Sequence, residues 1–151
     1  MKGLCCTVSD EAYALILHES KTRFPLETGG ILIGKIDDNI VHIEYATGPG
    51  PVAYHSRSRF QRDGDYSQVL LDTLVRYSRA EYDYIGEWHS HPAPVKPSSI
   101  DIKAMQWIIQ NPKYAIVQPI LGICTRIERD EWALGIFVFT NGQLQRLPLG
   151  K

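Results

Sequence analysis

Two histidines separated by a single residue, His89 and His91, have the spacing in this sequence that most clearly suggests chemistry. In a β-strand, side chains alternate between the two faces, so residues two apart point in the same direction. Two imidazoles placed in this way can chelate a metal ion with little rearrangement. Pro92 follows directly. We expect it to end the strand and leave that end open to a loop.

A third candidate ligand, Asp101, follows a proline-rich segment. With Ser98 it has the spacing of a capping box, an ordinary helix start, and that interpretation stays open. Asp101 also shares a predicted helical face with residues three, four and seven positions later, Ala104, Met105 and Ile108. That face should be turned to the core, and a buried carboxylate needs a cation or hydrogen-bond donors. Two histidines, one aspartate and a water form the open tetrahedral site of a hydrolytic zinc enzyme, in which zinc lowers the pKa of the water towards about 7.

A hydrolytic zinc site also needs a base that is not itself a ligand, and Glu27 is the outstanding candidate. It stands in Pro25-Leu26-Glu27-Thr28-Gly29-Gly30, ahead of a predicted buried strand. By itself, however, a lone glutamate at such a position is an ordinary surface residue, and chain position does not bring it to the histidines. Glu87 lies on the same strand face as the histidines and could contact one of them as a hydrogen-bond acceptor. Trp88 points the other way, into the core.

The elements that must position these residues follow from hydrophobic periodicity and turn signals. Helices are predicted over residues 10–22, 66–79 and 98–110. Strands are predicted over residues 31–33, 40–45, 84–91, 115–124, 132–140 and 143–147, and near the adjacent cysteines at the N-terminus. Helices interleaved with strands, with antiparallel hairpins at both ends, predict an α/β (α+β) fold in which helices flank a mixed sheet.

The stretch between the predicted strand at 40–45 and the helix at 66–79 is interpreted as irregular. Residues 48–51 alternate glycine and proline and predict a loop. The cluster Arg57, Arg59 and Arg62 could meet an acidic partner, but a solvated loop is the simpler interpretation. His55 is a loop residue without an assigned role, and His18 and His42 are interpreted as structural or surface residues.

Length and composition set the class of protein. A chain of 151 residues, 44% hydrophobic and 22% charged, fits one globular domain over residues 1–151. A net charge of -1 excludes a broad nucleic-acid footprint. No apolar run is long enough to span a membrane, and no signal-peptide core is present. Three cysteines do not suggest a disulfide framework, so a reducing cytoplasm is expected.

The combined motif resembles the JAMM (MPN-plus, JAB) zinc metallopeptidases. The resemblance is carried by Glu27 ahead of a glycine-rich strand, then His89-Ser90-His91-Pro92, then Pro97-Ser98 with Asp101. It covers most of the chain, and the complete motif is far more specific than its pieces. The resemblance implies a JAMM/MPN (cytidine-deaminase-like) fold, and the size is similar to that of the compact stand-alone bacterial members.

The resemblance also implies roles for individual residues. His89, His91 and Asp101 would bind zinc, with water as the fourth ligand. Glu27 would take a proton from that water and later protonate the leaving amine. Ser98 would donate a hydrogen bond to the tetrahedral oxyanion. The loop between His91 and Ser98 is one residue shorter than in many members, which affects the expected substrate groove but leaves the ligand set intact.

The implied function is peptidase or isopeptidase cleavage after the C-terminal glycine of a ubiquitin or ubiquitin-like protein. The implied partners are such a protein with a Gly-Gly end and conjugation enzymes of the E1 or E2 type. Two alternatives remain open: a non-catalytic MPN scaffold, and a zinc hydrolase of small amides or thioesters on a sulfur-carrier protein. A nucleoside deaminase is poorly supported, because the H-x-E and P-C-x-x-C signature is absent.

Overall fold

The computed structural model describes residues 3–94, 97 and 99–150. In this part of the chain there are three helices, α1 (Asp10–Arg23), α2 (Gly64–Tyr77) and α3 (Ser99–Gln110). The strands of the same residues are β1 (Cys5–Val8), β2 (Gly29–Asp37), β3 (Ile40–Ala46), β4 (Tyr54–His55), β5 (Phe60–Gln61), β6 (Asp83–His91), β7 (Ile120–Glu128), β8 (Glu131–Thr140) and β9 (Gln143–Arg146). None of the described helices is both long and apolar enough to cross a bilayer.

Among the described residues, seven strands form one mixed sheet in the order β1-β3-β2-β6-β7-β8-β9. The pairs β1–β3 and β6–β7 are parallel, and the other neighbours are antiparallel. After β9, the chain returns along β1: Cys6 N–H donates to the carbonyl of Pro148, and Gly150 N–H donates to the carbonyl of Cys6. The sheet is therefore curled, and the predicted α/β (α+β) class with a mixed sheet and flanking helices is confirmed.

The two faces of the sheet bury different clusters. One cluster joins α1 residues Ala12 and Ile16 to strand residues that include Trp88, which is 1% exposed. The other joins α3 residues Met105 and Ile108 to alternate residues of β7 and β8. Trp88 therefore points away from the face carrying its neighbours on β6, as its place in the strand predicts. The α3 side is the face on which the candidate site is built.

Two differences from the predicted elements have local causes. β7 was predicted from residue 115 but begins at Ile120. Ala115 has a left-handed φ of 50°, and Pro119 has no N–H to donate to a strand ladder, although its carbonyl accepts from Phe139 N–H at 3.0 Å, so the regular strand begins at Ile120. The segment predicted to be irregular contains β4 and β5, which pair with each other as a small separate sheet.

Replacing Gly29 with Ala is expected to lower the free energy of unfolding by about 1–3 kcal/mol, the usual cost of overpacking. A Cβ at Gly29 would lie 2.2 Å from the carbonyl oxygen of Trp88 and 2.8 Å from the ring of Phe60. Urea unfolding midpoints would measure the loss. Gly48→Ala is the matched control, because a Cβ there meets nothing within 4 Å. Equal midpoints for the two variants would contradict this account of the tight contact.

Candidate active site

Both histidines lie at the end of β6 on the face covered by α3. The Nε2 atoms of His89 and His91 are 3.1 Å apart, and the ring centroids are 4.9 Å apart. The side chain of His89 is 18% exposed and that of His91 is 8% exposed. Strand alternation thus produces a converging pair of imidazoles that is shielded from bulk water but still reachable from one side.

Asp101, the third residue of α3, is brought to this pair. Its side chain is 6% exposed, and its Oδ1 lies 2.9 Å from His89 Nε2 and 3.8 Å from His91 Nε2. Met105 and Ile108 on the same helical face are buried, as predicted. Ala104, placed on that face by the sequence, is exposed instead. The buried face of α3 is therefore narrower than expected, but it still includes Asp101 and turns its carboxylate inward.

The three side chains fit a metal ion. One ligand atom from each of His89, His91 and Asp101 lies within 4.8 Å of the other two. Ligand atoms 2.0–2.1 Å from a tetrahedral zinc are about 3.3 Å from one another. The separations of 2.9, 3.1 and 3.8 Å bracket that value. Two imidazole nitrogens and one carboxylate oxygen are also the donor types of hydrolytic zinc sites, so the donor chemistry and spacing agree with the predicted ligand set.

Glu27 reaches the histidines through the pairing of β2 with β6. Gly29 is the register partner of His89, and β6 continues the pairing to the next residues. Ser90 N–H donates to the carbonyl of Thr28 at 2.8 Å, and Thr28 N–H donates to Ser90 Oγ at 3.0 Å. Glu27 is therefore carried to the end of β6 where His91 lies, and both residues line one cleft.

The electrostatic setting of Glu27 suits a proton acceptor. Burial raises the pKa of its carboxyl above the ordinary glutamate value. Positive charge on His89 and His91 opposes that rise, while the Asp101 carboxylate adds to it. A glutamate with a raised pKa holds a proton more readily than an exposed one, which is the property required of a group that accepts and then returns a proton.

Two clefts border the three candidate ligands. One, of about 540 Å³, is lined by Glu27, His91 and Asp101, together with Phe24 and Arg57 among others. The second, of about 480 Å³, has a lining that includes His89 at one end. Its walls come from β5, from the α3 side chains Met105 and Trp107, and from Leu121. The candidate metal centre thus has a cleft on each side, one bordered by His91 and Asp101 and the other by His89.

The remaining site predictions have different outcomes. Ser98 lies outside the described residues, so its proposed hydrogen bond stays a prediction.

Glu87 is on the predicted strand face, but its carboxylate accepts hydrogen bonds from Arg62 and Tyr84. Arg62 Nε donates to Glu87 Oε1 at 2.8 Å and Arg62 Nη2 to Oε2 at 3.3 Å. The Tyr84 hydroxyl also donates to Glu87, and burial raises the pKa of Tyr84, which keeps that proton in place.

This network corrects the interpretation of Arg62 as part of a solvated arginine loop. The side chains of Arg62 and Glu87 are only 18% and 19% exposed, and Arg62 Nη2 also donates to the hydroxyl of Tyr114 at 3.0 Å. Arg57 and Arg59 are exposed, as expected. The three arginines were grouped because they are close in sequence. Arg62 differs from the other two because it directly follows β5 and its side chain binds Glu87 on β6.

Arg62→Met is expected to lower the free energy of unfolding by about 1–3 kcal/mol, because it leaves a largely buried carboxylate without its charged donor. Urea unfolding would measure the change. The double variant Arg62→Met with Glu87→Gln should recover part of the loss, since the amide carries no charge. The exposed Arg59→Met is the matched control. A single Arg62 variant as stable as the parent protein would refute this role.

Ser90 is a site residue that sequence reasoning did not single out. Its hydroxyl and its backbone N–H both bond to Thr28, the neighbour of Glu27. Ser90 is fully buried and lies between the two histidines, pointing to the opposite face of the strand. The only available signal was its place between the two histidines of the motif. A serine there lies on the buried face of the strand, and a buried hydroxyl needs a hydrogen-bond partner.

Residues 9–134 match the family described as prokaryotic homologs of the JAB domain. The chain belongs to this family. The match includes the whole stretch from Glu27 to Asp101, so the predicted resemblance to the JAMM/JAB metallopeptidases is confirmed. The JAB family consists of metallopeptidases, and the predicted enzyme class is confirmed at this level. Together with the His-His-Asp cluster, JAB membership indicates a metal as cofactor.

Known relatives of this JAB chain carry compatible names. It is 28% identical over 117 residues to the probable metalloprotease y4qB of Sinorhizobium fredii, covering 76% of this chain and 71% of that protein. Two proteins named CD-NTase/cGAS isopeptidase are also similar. The one from Escherichia coli is 34% identical over 84 residues, 55% of this chain and 53% of its own length. The one from Enterobacter hormaechei is 36% identical over 119 residues, 77% of this chain and 64% of its own length.

The matches therefore span about half to two thirds of the two isopeptidases. Among solved structures, the JAB chain is similar to the solution structure of protein DSY2949 from Desulfitobacterium hafniense, with a TM-score of 0.70 and 18% sequence identity. That similarity covers 95% of this chain and 90% of the other. At this identity it supports the fold alone.

Proposed function

We propose that this chain is a zinc-dependent isopeptidase that cleaves after the C-terminal glycine of a ubiquitin-like protein. The observation that carries the proposal is the arrangement of His89, His91 and Asp101 as a three-ligand cluster, with Glu27 lining the same cleft as His91 and Asp101. A three-ligand metal site with an adjacent half-buried carboxylate provides the two groups that metal-assisted amide hydrolysis requires. A cleft on each side provides space for the groups on both sides of the cleaved bond.

In this proposal, His89 Nε2, His91 Nε2 and a carboxylate oxygen of Asp101 hold the zinc ion. When bound, zinc supplies a water molecule of lowered pKa and polarises the carbonyl of the substrate. Asp101 is well suited as the anionic ligand because its side chain is only 6% exposed, and a buried carboxylate is stabilised by a cation. The two imidazoles would be neutral donors, so zinc and its three ligands would together keep a positive charge facing the developing oxyanion.

Glu27 acts as the proton carrier. Its carboxylate oxygen accepts a proton from the attacking water and then delivers it to the nitrogen of the leaving amine. Partial burial raises the pKa of its carboxyl, which favours acceptance of the proton from the water. Ser98 completes the proposal by donating a hydrogen bond to the oxyanion of the tetrahedral carbon.

The cleft that ends at His89 is the proposed groove for the tail of the ubiquitin-like protein. Within the described chain β5 pairs only with β4, so its other edge is available to an added strand. Phe60 and Gln61 of β5 line this cleft. Gly-Gly at the end of the tail would allow the closest approach to the metal centre, where side chains would collide with the walls.

The named relatives support a protein substrate. Two are called isopeptidases, and we extend that activity to this chain as part of the proposal. The proposed partners are a ubiquitin-like protein with a Gly-Gly end and conjugation enzymes of the E1 or E2 type. We also propose a cytoplasmic location.

A substrate panel tests the proposal. The zinc-loaded full chain is incubated with Gly-Gly-ended ubiquitin-like proteins joined to a lysine side chain, with matched substrates ending in Ala-Ala, and with small amides and thioesters. We expect cleavage of the Gly-Gly conjugates, loss of cleavage with a chelator, and little cleavage of the Ala-Ala forms. Hydrolysis of only the small amides or thioesters would favour the smaller-substrate alternative. Absence of turnover on every member of the panel would favour the scaffold alternative.

A further inference from the structure

Both peptide groups of Glu27 are bonded to the small β4–β5 sheet. Glu27 N–H donates to the carbonyl of Ser56 at 2.7 Å, and the Glu27 carbonyl accepts from Nδ1 of His55 at 2.8 Å. These partners are consecutive residues: His55 is the last residue of β4 and Ser56 is the next one. The backbone N–H of Glu27 is thus held by the main chain of Ser56, and its carbonyl is held by the side chain of His55.

The ring of His55 is itself held in place. It packs against Phe60, its register partner on β5, with ring centroids 5.4 Å apart. Phe60 in turn lies against Gly29, where a Cβ would come within 2.8 Å of its ring. A carbonyl oxygen only accepts hydrogen bonds, so the Nδ1 atom of His55 must carry a hydrogen. The contact therefore fixes which ring nitrogen is protonated when His55 is neutral.

The residue after Glu27 is held by β6. Thr28, directly after Glu27, exchanges two hydrogen bonds with Ser90, the residue between the two histidines. The peptide that joins Glu27 to Thr28 is therefore held by His55 at its carbonyl and by Ser90 of β6 at its N–H. These bonds fix the backbone from which the Glu27 side chain projects.

We propose that His55 is a positioning residue for the base. Through its Nδ1–H it orients the peptide after Glu27, and thereby the carboxylate, towards the water held at the metal centre. His55 itself contacts neither metal nor substrate in this proposal. The inference rests on the proposed function, because it assigns Glu27 its role in proton transfer.

Two substitutions at His55 separate the hydrogen bond from the packing. His55→Phe keeps an aromatic ring against Phe60 but removes the donor. His55→Asn loses the ring but keeps an N–H attached to Cγ, in the position of Nδ1. If orientation of Glu27 is the function, His55→Phe should lower kcat by about 10- to 100-fold with KM within about twofold, as expected for a misplaced catalytic group. His55→Asn should restore kcat to within about fivefold of the parent protein.

The assay is cleavage of a Gly-Gly conjugate by the zinc-loaded full chain, with zinc content and thermal unfolding measured for every variant. His18→Phe on the exposed face of α1 is the matched control and should leave kcat unchanged. Equal kcat for the parent protein and His55→Phe would overturn the inference. A loss in His55→Asn as large as in His55→Phe would also overturn it, because packing alone would then explain the effect. Failure of the parent protein to cleave would instead count against the proposed function.

A second measurement does not depend on activity. Long-range ¹H–¹⁵N correlation spectra of the metal-free protein report which nitrogen of His55 carries hydrogen. We expect hydrogen on Nδ1, in either the neutral or the charged ring, and a shift of the Glu27 and Thr28 amide signals in His55→Phe. A neutral ring protonated only at Nε2 would contradict the hydrogen bond and the inference with it.

Discussion

Glu27→Gln is expected to reduce turnover by about 10²- to 10⁴-fold, the usual contribution of a general base, while zinc remains bound. The amide is nearly the same size as the carboxylate, so the backbone bonds to His55 and Ser56 should persist. It has no site that can accept and return the transferred proton at neutral pH. The defect should therefore appear in kcat and leave zinc stoichiometry at one per chain.

Single-turnover cleavage of a Gly-Gly conjugate, together with zinc analysis, would measure this effect. Glu131→Gln provides the matched control, because Glu131 is an exposed carboxylate at the start of β8. Its turnover should equal that of the parent protein. Cleavage by Glu27→Gln at the parent rate would remove Glu27 from the mechanism. Loss of zinc in this variant would instead indicate that Glu27 contributes to metal binding.

His91→Ala is expected to abolish both stoichiometric zinc binding and cleavage. Removing one imidazole leaves His89 and Asp101, and two protein ligands do not complete the three-ligand set of a catalytic zinc site. Loss of an outer partner of a metal ligand already costs about 10- to 100-fold in affinity, so loss of the ligand should cost more than 100-fold. The effect should appear as a higher zinc dissociation constant and as absent turnover at low zinc concentration.

Competition with a chromogenic chelator would give the zinc affinity of each variant. His18→Ala removes an imidazole from the exposed surface of α1 and serves as the control for non-specific zinc binding. The two variants should also be compared by thermal unfolding in the absence of zinc, to separate metal loss from misfolding. Zinc bound by folded His91→Ala with the parent affinity would contradict the ligand assignment.

The candidate ligands were predictable because local rules place them. Strand alternation puts His89 and His91 on one face, and helical periodicity puts Asp101 on the buried face of α3. Both rules act over a few residues, whereas the contact of Asp101 with the histidines depends on how α3 packs against the sheet. Ala104 was predicted to be buried on the same face of α3 but is exposed, because it lines an open cleft.

Glu27 could be assigned only through its family resemblance. Its approach to the histidines depends on the register of β2 against β6, in which Gly29 pairs with His89. No local pattern fixes the pairing of strands so distant in the chain. Its bond to His55 has the same origin, since both lie in segments whose contacts are non-local.

The small sheet was missed for a different reason. β4 and β5 have two residues each, which is too short for an alternating pattern to register. Arg62 follows β5 in a run that contains two exposed arginines, so composition alone suggested a solvated loop. Its burial against Glu87 becomes evident only when β5 is placed beside β6.

The most direct test is a titration of the metal-free full chain with zinc, followed by the initial rate of cleavage of an isopeptide-linked Gly-Gly conjugate. We expect no cleavage without zinc and a rate that rises linearly to a plateau at one zinc per chain. Cleavage by the rigorously metal-free protein at the plateau rate would contradict it. So would one tightly bound zinc per chain without any cleavage of the conjugate.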